Sequence, residues 1–116
     1  MKGNNMGKFI SVPQNVNAMY NAEFGIWNPS EHYIWYLQDD ELSLIWKENV
    51  FDLLNKEFNI LIDDYEDEYI FYQELLFKRK ELYCKLECCK CKEQIEKLKD
   101  MIDKSIDSKT LLSVVL

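Results

Sequence analysis

Asp63-Asp64-Tyr65-Glu66-Asp67-Glu68-Tyr69-Ile70-Phe71-Tyr72-Gln73-Glu74-Leu75-Leu76-Phe77 opens a stretch, 63–106, that contains neither glycine nor proline. With no obligatory turn maker, helix is the natural expectation for the whole of it. Tyr65, Tyr69, Tyr72, Leu76 and Tyr83 fall on one helical face. Further on, Cys84, Cys88, Cys91, Ile95, Leu98 and Ile102 alternate by three and four along a face turned about a quarter-turn away. Acid-before-base pairs at i, i+4 support the same reading: Glu74 with Lys78, Glu81 with Lys85, Glu93 with Lys97, Asp100 with Lys104. Unbroken, such a helix would be about 65 Å long, more than a compact domain of this size accommodates. It must break, or its far half must project and find a partner. The arrangement this favours is an antiparallel hairpin or a two-chain coiled coil through the distal half.

Upstream, glycine and proline occur only at Gly3, Gly7, Gly25, Pro13 and Pro29. Val16, Met19, Tyr20 and Phe24 outline a short helix that Gly25 can end in the left-handed conformation. Asn28-Pro29-Ser30-Glu31 is a helix-start signature. The following His32-Tyr33-Ile34-Trp35-Tyr36-Leu37 is apolar all round, so its periodicity separates helix from strand no further. Asp39 or Asp40 can cap a third helix to about Phe58, with Leu42, Trp46, Val50, Leu53 and Leu54 along one face. Asn59-Ile60-Leu61-Ile62 is the best strand candidate. The ending Leu111-Leu112-Ser113-Val114-Val115-Leu116 is too apolar for a solvated tail and should dock on the core or on a neighbour. The expected fold is therefore mainly α, or all-alpha: one small helical domain over 1–116, flexible over 1–8. A long helix or helical hairpin is expected over 64–106, with one short β element at most.

The chain has 116 residues, 47% of them hydrophobic and 30% charged, the composition of a folded globule with a single core. It shows no signal-peptide pattern and no apolar run long enough to span a bilayer, so a cytoplasmic setting without membrane contact is expected. Cys84, Cys88, Cys89 and Cys91 lie within eight positions, unlike the dispersed cysteines of a disulfide-stapled secreted domain. The net charge of −7 is unevenly spread. Residues 36–70 hold eleven acids (Asp39, Asp40, Glu41, Glu48, Asp52, Glu57, Asp63, Asp64, Glu66, Asp67, Glu68) against Lys47 and Lys56, whereas 71–104 hold nine bases and seven acids. An acidic middle disfavours direct binding to a nucleic-acid backbone.

Three groups of residues invite chemistry. Cys88-Cys89-Lys90-Cys91 contains a C-x-x-C, the spacing of zinc knuckles and thioredoxin-like redox sites, and Cys84, Cys88, Cys91 and His32 make a conceivable metal set. Against it, there is one such knuckle and not two, no glycine near it, and cysteine is commonly a buried, idle thiol on a helix stripe. Asp63, Asp64 and Asp67 could share a helical face and hold Mg²⁺. In outline this resembles the aspartate-rich D-D-x-x-D motif of prenyl-transfer enzymes, which are far larger and use a second metal-binding helix that this sequence lacks. The plainer reading is a solvated helix start, where acids favour the positive end of the dipole. His32 is the one histidine, flanked by Tyr33, Ile34, Trp35 and Tyr36, and reads more readily as a packed side chain than as an acid or base. No phosphate-binding glycine loop or nucleophile-elbow motif occurs, so neither an enzyme nor a cofactor is expected.

What remains is acid interleaved with aromatics. If Tyr69, Tyr72 and Tyr65 are exposed among Asp63, Asp64, Glu66, Asp67 and Glu68, with Asp39, Asp40 and Glu41 adding charge, the surface suits a basic groove. The expectation is a non-catalytic acidic binder or inhibitor of a basic protein or nucleoprotein, such as a nucleic-acid-handling protein. Small acidic proteins that phages deploy against host defence nucleases, anti-CRISPR proteins among them, resemble it in class, though no family motif carries the likeness. The competing readings are the cysteine-centred metal or redox protein and a structural oligomer, for instance a homodimer through the distal helix.

Overall fold

A computed structural model of the chain describes residues 7–63 and 67–116. It overturns the mainly helical expectation. Four strands, β1 (Phe9–Pro13), β2 (His32–Tyr36), β3 (Asp67–Phe71) and β4 (Leu111–Val115), form one sheet in the order β2-β1-β4-β3. Every neighbouring pair is antiparallel. Five helices complete the α+β architecture: α1 (Val16–Glu23), α2 (Asp39–Lys47), α3 (Val50–Phe58), α4 (Tyr72–Leu86) and α5 (Lys92–Ser108).

The decisive difference lies at Asp67–Phe71, expected to be helix and found to be an edge strand. Its pairing with β4 aligns Glu68 with Val114 and Ile70 with Leu112, so these four share the face that packs on the core. Asp67, Tyr69 and Phe71 take the opposite face. The long helix therefore does not exist. After β3 the chain forms α4, turns through 87–91, and returns as α5, all within a molecule whose longest principal extent is 37 Å.

Helix termination without glycine also escaped the sequence. Asn49, Asn59 and Lys109 all adopt positive φ, at 62°, 54° and 57°. Asparagine tolerates this region better than most side chains, so it can stop a helix as glycine does. The helix expected from Asp39 to Phe58 is thereby split at Asn49 into α2 and α3. Asn59–Ile62, the favoured strand candidate, is an irregular connection whose Ile62 N–H donates to Asn55 Oδ1 at 2.6 Å. The short β element was thus placed wrongly, and the apolar ending is a central strand. The expectation at 16–25 meets its counterpart in α1, capped by Asn15, whose Oδ1 accepts from the Ala18 N–H at 2.9 Å, with Gly25 beyond it at φ +83°.

The core lies between one sheet face and the layer α2–α5. Ile10, Val12, Ile70, Leu112 and Val114 from the strands meet Phe51 and Leu54 of α3, Leu75 and Leu82 of α4, and Ile95, Leu98 and Ile102 of α5. Ion pairs tie the helices across this layer. Lys85 Nζ reaches the buried Glu57 at 2.6 Å, Lys97 reaches Glu41 at 2.8 Å, and Arg79 reaches Asp103 at 3.2 Å. The Tyr83 hydroxyl donates to Asp103 at 2.8 Å, and its pKa is raised by burial and by that carboxylate. No helix among the described residues is long and apolar enough to cross a membrane.

Candidate functional site

The second face of the sheet has no helical layer equivalent to α2–α5. Among the described residues α1 and the segment after it stand over this outer face, and together they frame a cleft of about 740 Å³. Its floor is Phe9, Ser11, Ser113 and Val115 of the two central strands with Tyr69 and Phe71 of β3. Its other wall is Met19, Tyr20 and Glu23 of α1 and Trp27 beyond it. α1 therefore turns its large apolar side chains toward the cleft and solvent: of its residues only Ala18 is buried.

Trp27 is the hinge of an aromatic group. It stacks on His32, ring centroids 4.7 Å apart and planes at 20°, and leans on Phe9 at 5.7 Å. Phe9 in turn meets Tyr36 edge-on at 6.0 Å. His32 borders the cleft at 6% exposure, and neither ring nitrogen has a hydrogen-bond partner among the described residues. Burial lowers its pKa against the opposing charge of Glu31; a neutral imidazole carries one donor and one acceptor.

No protein-family model, curated protein or solved structure matches this chain. The function must be argued from the site.

The acidic stretches fall on this side of the argument too. The pairing places Tyr36, Phe9, Val115 and Asp67 in one row across the sheet, a span of about 14 Å for three strand spacings. β2 leaves the sheet at Tyr36, three residues before Asp39, and β3 enters it at Asp67, so Asp67 lies at the end from which the chain runs on into the Asp39-Asp40 stretch. Asp39 and Asp40 are exposed on the first turn of α2, where the helix dipole favours them. Asp67 is exposed, Glu68 half-buried, and Tyr69 is 52% exposed. Burial raises the Tyr69 pKa, helped by the charges of Asp67 and Glu68. Tyr72 is half-buried at the start of α4, and Asp63 is exposed. Asp64, Tyr65 and Glu66 lie outside the described residues.

Other expected groupings are not brought together. Asp63 is in the connection before β3 and Asp67 in the strand itself, so no helical face joins them. Glu41 is turned inward: burial alone would raise its pKa, but hydrogen bonds from Lys97, the Gln38 N–H and Gln94 hold it below the ordinary carboxylate range. It contributes to α2–α5 packing and little to an outward surface. The cysteines do not form a stripe on one helix. Cys84 is exposed on α4, Cys88 exposed in the following turn, and Cys89 and Cys91 are buried beside it; all four are free thiols. Burial raises the pKa of Cys89 and of Cys91, the reverse of an activated thiolate. Among the described residues no three His, Cys, Asp or Glu side chains converge to hold a metal ion, and His32 lies on the far sheet face.

The sequence reading missed Phe9, Glu23, Trp27 and Phe71 as site residues. A usable signal existed in α1, whose apolar positions Met19 and Tyr20 were read as marking a helix and not as lining a site.

Proposed function

We propose that this chain is a non-catalytic binding protein that docks a basic macromolecular partner, such as a nucleic-acid-handling protein, on the acidic end and outer face of its sheet. One observation carries the reading: the row Tyr36–Phe9–Val115–Asp67, which sets the exposed Asp67 at the sheet end from which β2 runs on toward Asp39 and Asp40, beside the exposed Tyr36 and with Tyr69 exposed two residues further along β3. Carboxylates there steer a positive surface into place. The tyrosines and phenylalanine supply contact area at small entropic cost. Among the described acids of 36–70, Glu41 and Glu57 are neutralised by Lys97 and Lys85, and Asp39, Asp40, Asp52 and Asp67 stand exposed.

The test is capture of the partner from host lysate at low and high salt, with mass-spectrometric identification and then purified components. Association should weaken steeply as ionic strength rises and the Debye length falls below about 10 Å. The triple variant Asp39→Asn, Asp40→Asn, Asp67→Asn should bind about tenfold more weakly, mainly through a slower on-rate, and still fold cooperatively, losing about 1 kcal/mol of helix-dipole stabilisation. A partner retained equally at both salts, or bound equally by the triple variant, contradicts the reading.

A further inference from the structure

The cleft over the outer face is more than a continuation of the acidic end, because its chemistry is one-sided. Glu23 on α1 and Asp67 on β3 both line it, and neither makes an ion pair among the described residues. Among the described residues Lys109 is the single cation on the lining, so two carboxylates face one ammonium. Between them the walls are aromatic, with Tyr20 and Trp27 on one side and Tyr69 and Phe71 on the other. Beneath Trp27, His32 is more than nine-tenths buried and unpartnered at both nitrogens.

Resting on the reading of a basic partner, we infer that this cleft takes an arginine side chain presented by an extended segment of that partner. A guanidinium is planar, permanently charged and rich in donors. It stacks on aromatic faces, and it pairs with carboxylates in a fork geometry that a lysine ammonium does not reproduce. Stacking and charge both have their complement here: π faces on the lining, and two carboxylates without an ion pair among the described residues. The volume of about 740 Å³ lies within the range of ligand sites and leaves room for the residues flanking the arginine.

The probe is acetyl-Leu-Arg-Leu-amide, titrated into the isotopically labelled full chain and followed by NMR. Citrulline and lysine versions of the peptide serve as controls. The single histidine gives an unambiguous imidazole ¹⁵N signal, and the Trp27 indole gives a second one. The expected result is saturable shifts of Trp27, His32, Tyr69 and Ser113 with the arginine peptide. Affinity should be at least about tenfold lower for the citrulline peptide and several-fold lower for the lysine peptide. The surface variants Glu23→Gln and Asp67→Asn, each expected to fold normally, should weaken the arginine peptide about threefold apiece. Equal binding of the arginine and citrulline peptides would overturn the inference in favour of a plain apolar cleft. So would shifts confined to Asp39 and Asp40, or no shifts at all. Any of these outcomes, combined with salt-sensitive partner binding that Asp39→Asn, Asp40→Asn weakens, removes the cleft from the account and leaves the acidic docking surface standing. Loss of both removes the basic partner.

Discussion

Deleting Leu111–Leu116 is expected to abolish cooperative folding, although the deletion takes only the chain's final residues. β4 lies inside the sheet, between β1 and β3, and is the sole strand paired with β3. Without it β3 has no ladder partner and β1 loses one of its two neighbours. Leu112 and Val114, at 0% and 1% exposure, also leave the core. Emptying each of those two positions costs about 1–4 kcal/mol, before the lost ladder hydrogen bonds are counted. That approaches the whole stability of about 5–15 kcal/mol typical of a domain. Near-UV circular dichroism and urea titration check this. The shortened chain should show no tertiary signal and no sigmoidal transition, and a truncated protein that still unfolds cooperatively would mean that β4 is peripheral.

Phe51→Ala should be the most damaging single substitution of this comparison, costing about 3–5 kcal/mol. Phe51 is 1% exposed on α3, and its ring meets Trp46 edge-on at 5.0 Å. The cavity opens in the middle of the core cluster, where α3 and the sheet leave little room to collapse. Phe77→Ala is the control. Phe77 is 86% exposed on α4, and its loss should change stability by no more than about 0.5 kcal/mol. Urea midpoints of the two variants measure the contrast directly, and similar midpoints would contradict the packing described.

Those two phenylalanines show how much the sequence could convey. Both stand in apolar surroundings within helices, yet the helical stripe drawn from Leu42 through Trp46, Val50, Leu53 and Leu54 passes over Phe51. The break at Asn49 resets the helical phase, and Val50, Phe51, Leu54 and Phe58 are the apolar residues that α3 buries. Local patterns did find real features: α1 ahead of Gly25, a helix start close to Asp39, and the apolar ending as a docked segment. They failed where the answer is set by pairing across the chain. Tyr69 and Tyr72 sit at helical spacing, while the short apolar run Tyr69-Ile70-Phe71 after two acids fits a helix or a strand equally. Only its contact with β4, more than forty residues downstream, decides between the two periods. Of the residues in the proposed site, Asp39, Asp40, Asp67 and Tyr69 were already candidates in the sequence, whereas Glu68, another candidate, turns toward the core face. The placing of Asp67 at the end from which β2 runs on toward Asp39 was not legible, because it follows from strand register. The cleft was invisible for the same reason, since its walls come from β1, β3, β4 and α1.

Hydroxyl-radical footprinting of the chain alone and in complex with its partner addresses the binding face itself. Protection is predicted at Trp27, Tyr36, Tyr69 and Phe71, with Leu76 and Phe77 on α4 remaining as reactive as in the free protein. Protection confined to α4 and α5, with the outer sheet face unchanged, would place the partner on the opposite side of the molecule and contradict the account.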